Sequence, residues 1–294
     1  MNFPKLFVVA GLLCSALQPS FAGESPFGWI YTAEVAPPGT KEFEQWVDVQ
    51  RTQTQGSYTN VRLRSEFEFG ITSKYQTAVY LNSRYISAYR NGIDGTSSGP
   101  NTDIPDDFDP TSRYKLRRVE SVSWENIYQL SNPLVDPIGV ALYIEPSLGP
   151  RNKELEFKLI LQKNFLDDRL IWATNLVTAL ENNKRGSSVE KATEVDLLTG
   201  FSYRFRDNWS AGLEVRNHRE FTGYGYGVAN HSAWFAGPNL HYASKAWWVT
   251  LAWRQQLKQA SGFQDDQREV ISNGRIYGDE HTLNQFMLKV GVPF

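Results

Sequence analysis

The chain has 294 residues, with 30 Lys+Arg against 32 Asp+Glu and a mean hydropathy of −0.43. That near-neutral balance gives no electrostatic footprint for nucleic acid. Beyond one short run at the start, no apolar stretch approaches the roughly 18 residues of a membrane helix, although a chain that crosses with half-apolar strands would escape that test.

Met1 to Lys5 form a short basic start, residues 6–17 are apolar, and Gln18-Pro19-Ser20-Phe21-Ala22 brings small residues to a cleavage position. This pattern predicts a secretory signal over residues 1–22, cleaved after Ala22. The only cysteine, Cys14, lies within it, and Leu13 is the wrong neighbour for a lipoprotein site. The mature chain is therefore expected to carry no thiol and no disulfide.

Residues 27–36 are an apolar lead-in that stops at Pro37-Pro38-Gly39. The segment 23–41 is expected to precede a strand domain over 42–294, either as an edge strand or at the periplasmic rim. Residues 42–54 and 60–72 then alternate. In the second stretch Val61, Leu63, Phe67, Phe69 and Ile71 share one face, and Arg62, Arg64, Glu66 and Glu68 the other. Only a period of two produces that pattern. Further strands are read at 75–90, 115–130, 138–145, 153–163, 170–181, 193–205, 209–220, 231–242 and 247–257. Polar loops are expected at 92–113, 182–191 and 258–280, and a break at 146–152.

The last strand, 281–294, sets Phe286, Leu288, Val290, Val292 and Phe294 on one face and ends on the aromatic. It resembles the terminal-phenylalanine signature that the barrel-assembly machinery of the bacterial outer membrane reads. The count is about twelve strands, with turns alternating between three or four residues and much longer loops. That alternation is how outer-membrane barrels are built. Tyr75, Trp209 and Trp247 follow short turns, where an aromatic girdle would sit, and the chain's nine Trp and fourteen Tyr suit such girdles. The hairpins starting at Phe69 and Phe205 look like one unit reused.

Phe27-Gly28-Trp29-Ile30-Tyr31-Thr32, Pro38-Gly39-Thr40-Lys41-Glu42-Phe43-Glu44-Gln45-Trp46, Arg64-Ser65-Glu66-Phe67-Glu68-Phe69-Gly70-Ile71-Thr72 and Tyr80-Leu81-Asn82 carry a further likeness. They resemble an uncharacterised family of Gram-negative outer-membrane β-barrels and, more distantly, barrels encoded beside aromatic-degradation pathways. The specific match covers residues 27–92. It implies fold and location, an all-β transmembrane antiparallel barrel in the outer membrane, and no activity or catalytic residue.

The charged face predicts a lumen lined by Glu42, Glu44, Asp48, Arg62, Arg64, Glu66, Glu68, Arg84, Glu125, Glu154, Glu156, Lys158, Glu194, Asp196, Arg204, Glu214, Arg216, Arg254 and Lys289. Its acidic excess favours cations or neutral polar solutes if the lumen is hydrated. The same charges could instead close a narrow lumen as an ion-pair network. A barrel-wall Ser-His lipase is the less favoured reading. Ser232 directly follows His231, so the two face opposite sides of a strand, and no catalytic residue is expected. Asp94, Asp103, Asp106, Asp107 and Asp109 lack calcium-loop spacing. The Gly/Tyr run 223–227 reads as a hairpin tip at the outer girdle, with sugar stacking as the alternative. His218, His231, His241 and His281 lack metal-ligand spacing, so neither metal nor cofactor is expected. The reading is a passive channel for a small polar or cationic solute, in contact with outer-membrane lipid and lipopolysaccharide. The alternative is a non-conducting structural or surface-interaction barrel.

Overall fold

The computed structural model describes residues 25–97, 107–185, 188–278 and 281–294. The signal segment, Cys14, Asp103 and Asp106 lie outside them. The first eleven strands are β1 (Lys41–Arg51), β2 (Ser57–Thr72), β3 (Tyr75–Tyr89), β4 (Tyr114–Ser131), β5 (Gly139–Leu148), β6 (Asn152–Phe165), β7 (Leu170–Arg185), β8 (Ser188–Arg206), β9 (Trp209–Thr222), β10 (Ala229–Ala243) and β11 (Trp248–Gln256). The two-residue strands β12 (Ser261–Gly262), β13 (Ile271–Ser272) and β14 (Arg275–Ile276) and one helical turn, α1 (Asp265–Glu269), follow, and the chain ends in β15 (Asn284–Pro293).

Each long strand pairs antiparallel with its predecessor, β15 pairs with both β11 and β1, and β10 pairs with β11. The ring therefore closes on itself with β1–β11 and β15, a twelve-stranded antiparallel barrel. Closure removes the free sheet edges that could not be satisfied in lipid.

Burial is inverted relative to a soluble protein. Leu213, Trp124 and Phe201 are 64%, 52% and 52% exposed, whereas Glu66 and Lys289 are each 2% exposed. A continuous apolar exterior around a charged interior matches a lipid-facing barrel. Several strands far exceed the roughly 9–11 residues needed to cross a bilayer; β8 has 19 and β4 has 18. Their surplus lies at the long-loop end. There the outward residues of β9 and β10 turn polar, as at Asn217, Arg219 and Ser232.

Several sequence expectations shift. The polar stretch 182–191 belongs largely to the β7–β8 hairpin, since a strand standing clear of lipid needs no apolar face. Pro146 does not end its strand. It keeps its place opposite Leu155 of β6, while the ladder with β4 is interrupted between Ile144 and Ser147, where proline has no N–H to give. The loop 258–280 is partly folded: β12 pairs with β10, and Ile276 and Val270 pack on Ala233 and Phe235. Asn273 and Gly274 both have positive φ, which suits the tight turn between β13 and β14.

Candidate functional site

Residues 25–36 add no strand to the wall. They thread across the lumen near its short-turn end, the end that faces the periplasm in outer-membrane barrels. A segment inside a barrel has no ladder to join, so each of its backbone groups needs a partner. Side chains of the wall supply seven of these partners. Glu214 accepts from the Gly28 N–H at 2.6 Å and the Trp29 N–H at 3.0 Å. Asn175 bonds both the N–H and the carbonyl of Tyr31, at 2.7 and 2.9 Å. Gln162 accepts from Ala33 N–H, Gln129 donates to the Ala33 carbonyl, and Gln76 accepts from Ala36 N–H. The apolar side chains have wall partners too: Phe27 and Ile30 pack on Ala173, Val177 and Leu198, and Ala33 and Val35 on Ile127, Ala141, Tyr143 and Ile160. Gly28 is required where it stands, because a Cβ there would fall 2.4 Å from that of Ala252.

The segment's rings build a floor. The Arg254 guanidinium lies 4.0 Å from the Trp29 ring centre, and Arg64 sits between Trp46 and Tyr80 at 4.3 and 3.9 Å. Lys158 lies between Tyr31 and Tyr143 at 4.0 and 3.9 Å, and Lys289 is 3.7 Å from Trp46. Away from bulk water each cation–ring contact contributes on the order of 2 kcal/mol. Trp29, Trp46 and Trp248 are therefore interior residues; Trp248 donates to Glu42 inside the lumen. Trp209 and Trp247, which follow short turns, are exposed on the outside of the barrel, as are Trp124 and Trp253.

Above the floor a cavity of about 1290 Å³ opens toward the long-loop end. Among the described residues it is lined by eleven acidic and nine basic side chains. Asp48, Arg62, Arg64, Arg84, Glu154, Glu156, Lys158, Glu194, Asp196, Arg216 and Arg254 all line it. Some of these charges are paired, as in Arg216–Asp196 at 2.6 Å and Lys158–Glu156 at 2.7 Å. Glu44, Glu66, Glu68, Glu125 and Lys289 lie instead beneath the floor, around a much smaller void that the threaded segment also lines. Glu42 and Glu214 also face inward, but their bonds go to Trp248 and to the threaded segment. Arg204 has the inward register and yet is exposed at the short-turn rim, away from both spaces. Glu120, Glu145, Arg118 and Arg151 line the cavity without having been singled out by sequence, although Glu145 falls in the same alternation as the rest.

The other candidates resolve simply. Ser232 accepts from Asn217 on the outer face, while His218 faces in, so the two do not meet. Asp94 and Asp109 each turn their carboxylate back on the local backbone and hydroxyls, at Thr96 and Thr111, and these bonds hold both below the usual carboxylate range. Tyr224 and Tyr226 of the glycine-rich loop are exposed.

Three of the four histidines converge at the cavity's outer wall. One ring nitrogen from each of His218, His231 and His281 lies within 4.8 Å of the others. Burial, aided by the neighbouring rings of His231 and His218, pushes the loop residue His281 well below the ordinary histidine range, so its ring is neutral. Spacing along the chain carries no trace of this cluster, which comes from two adjacent strands and a loop some fifty residues on.

One protein-family model matches residues 19–294, nearly the whole chain. The chain belongs to the family of unknown function DUF6662. This member has solved structural relatives that fix its fold. The COG4313 outer membrane channel from Pseudomonas putida F1 superposes with a TM-score of 0.58 at 12% identity, covering 89% of this chain and 98% of that one. The β domain of the Bordetella autotransporter BrkA gives 0.52 at 13% identity, with 87% and 100% covered. The NanC porin gives 0.50 at 10%, with 85% and 98% covered. No curated protein matches by sequence. The DUF6662 chain is an outer-membrane β-barrel.

Proposed function

We propose that this DUF6662 barrel is a passive, gated channel for small polar or cationic solutes, not an enzyme, with the threaded N-terminal segment as its gate. One observation carries the reading: a charged cavity open to the outside ends on a floor made largely of a segment that is not part of the wall. A barrel built only as a structural element has no need of that hydrated cup. The segment is held by side-chain hydrogen bonds and apolar contacts, so it can leave without breaking the barrel's ladder. Outer-membrane lipid and lipopolysaccharide would surround the barrel, and the assembly machinery would engage Phe286, Leu288, Val290, Val292 and Phe294, all on the outward face of the closing strand and its end.

The repeated hydrogen bonding of the segment to the wall, at Gly28, Trp29, Tyr31, Ala33 and Ala36, favours a second reading, a permanently closed barrel. Planar-bilayer conductance separates the two. A gated channel gives small or rare openings in the intact chain and large, steady ones when residues 25–36 are deleted. If the deletion variant folds, as judged by heat-modifiable migration, and stays silent, the channel reading fails.

A further inference from the structure

The histidine cluster has a hydrogen-bond pattern that assigns two of its tautomers. His231 Nδ1 meets Gln267 Oε1 at 2.9 Å, and that amide's orientation is set by its nitrogen donating to Asp266 at 3.0 Å. His281 Nδ1 meets the Gly278 carbonyl at 3.2 Å. His218 Nδ1 meets the Asp196 carboxylate at 2.9 Å. Oxygen acceptors therefore hold the Nδ1–H of His231 and His281. His218 Nδ1 lies between the Asp196 carboxylate and an N–H of Arg216, also at 2.9 Å, so its partners do not single out one tautomer. With Nδ1 of His231 and His281 carrying the hydrogen, the Nε2 of each presents a bare lone pair.

Two of those lone pairs face each other: His231 Nε2 and His281 Nε2 are 3.1 Å apart. Neither can donate to the other, so the pair needs a cation between them. Two nitrogens on one tetrahedral zinc ion, each about 2.05 Å from it, stand roughly 3.3 Å apart. Histidines that bind a metal characteristically give their remaining N–H to a carboxylate, a carbonyl or an amide oxygen, as His231 and His281 do here, and Asp196 stands within reach of His218 Nδ1 for the same purpose.

We propose that His218, His231 and His281 form a three-histidine site for a divalent transition-metal ion of the zinc class, with the fourth coordination position open to the cavity. Neutral imidazole ligands suit zinc, copper, nickel and cobalt and discriminate against magnesium and calcium, which require oxygen. His218 and His281 line the cavity, so an ion can reach the site from outside. His281 comes from the loop between β14 and β15, while Gln267 comes from α1. A bound ion would thus tie the folded outer loop to β9 and β10 across the cavity mouth. The site does not depend on the channel reading.

The test uses untagged, refolded protein in detergent, titrated with Zn²⁺ by calorimetry and with Co²⁺ by absorption spectroscopy. One equivalent should bind, with the intense visible bands of tetrahedral Co²⁺. H218A, H231A and H281A should each weaken binding at least tenfold, and H241A should leave it unchanged. Gln267→Leu should weaken it less than loss of a ligand does. Absence of saturable binding, binding retained in the triple variant, or a weak octahedral Co²⁺ spectrum would overturn the proposal. If the histidine variants do not fold, the Co²⁺ spectrum of the intact chain decides alone. A proton shared between His231 and His281 in place of a metal gives the first of these negative results.

Discussion

Glu214 takes two consecutive backbone N–H groups of the threaded segment and the Asn239 amide, and so holds one end of the floor. Charge-assisted bonds of this kind contribute about 1.5–3 kcal/mol each. Glu214→Gln removes the charge and can turn a donor toward an N–H. We expect the barrel to fold and residues 27–31 to become sensitive to chymotrypsin, which has Phe27, Trp29 and Tyr31 to cut there. Cleavage no faster than in the parent chain would show that the carboxylate does not hold the segment. Gln76, Gln129, Gln162 and Asn175 serve the same purpose along the lumen. None was legible as a site, because a buried amide in an alternating strand looks like any other inward polar residue until the chain it serves lies against it.

At the scale of elements, the closing strand makes a separable prediction. Phe294 adds one backbone bond, to the Lys41 carbonyl at 3.0 Å, and an edge contact with Phe67 at 6.3 Å. Its loss removes little from the ladder between β15 and β1. Deleting Phe294 should leave refolding into detergent nearly unchanged but sharply lower the amount assembled in the outer membrane of cells. Equal losses in both settings would mean the residue acts through stability and not through recognition. The strands themselves were largely readable. Their alternation follows from one face meeting lipid and the other the lumen, so the residues of 60–72 declare both faces. Where strands stand beyond the bilayer, as at 182–191, that contrast disappears and the sequence looks like a loop.

For the whole molecule, the channel reading makes the sign of the cavity the source of its preference among ions. Among the described residues, eleven acidic and nine basic lining groups give a small formal negative excess, which predicts weak cation selectivity and not strict exclusion. In a variant lacking residues 25–36, the reversal potential in a salt gradient should favour cations. Adding Glu190→Gln and Glu220→Gln, which remove two lining carboxylates, should bring it close to zero. An unchanged potential would place the ion path elsewhere. Glu66 and Glu68 are poor choices for this experiment, because they lie below the floor, where Glu68 accepts from Gln76, itself a partner of the threaded segment.

The twelve-stranded barrel, the two faces of its wall and the outward register of its last strand were determined by the sequence alone. Each is local: a period of two, a short turn or a terminal aromatic is complete within a dozen residues. Tertiary structure alone decided what fills the lumen. The Gly28–Glu214 bond joins residues 186 positions apart, and the His231–His281 contact joins residues 50 apart. Such meetings depend on which strands face each other across a closed ring and on where a free segment threads. No pattern along the chain encodes that distance. The same lead-in that reads as an apolar stretch before the barrel becomes its floor only once the wall has closed around it.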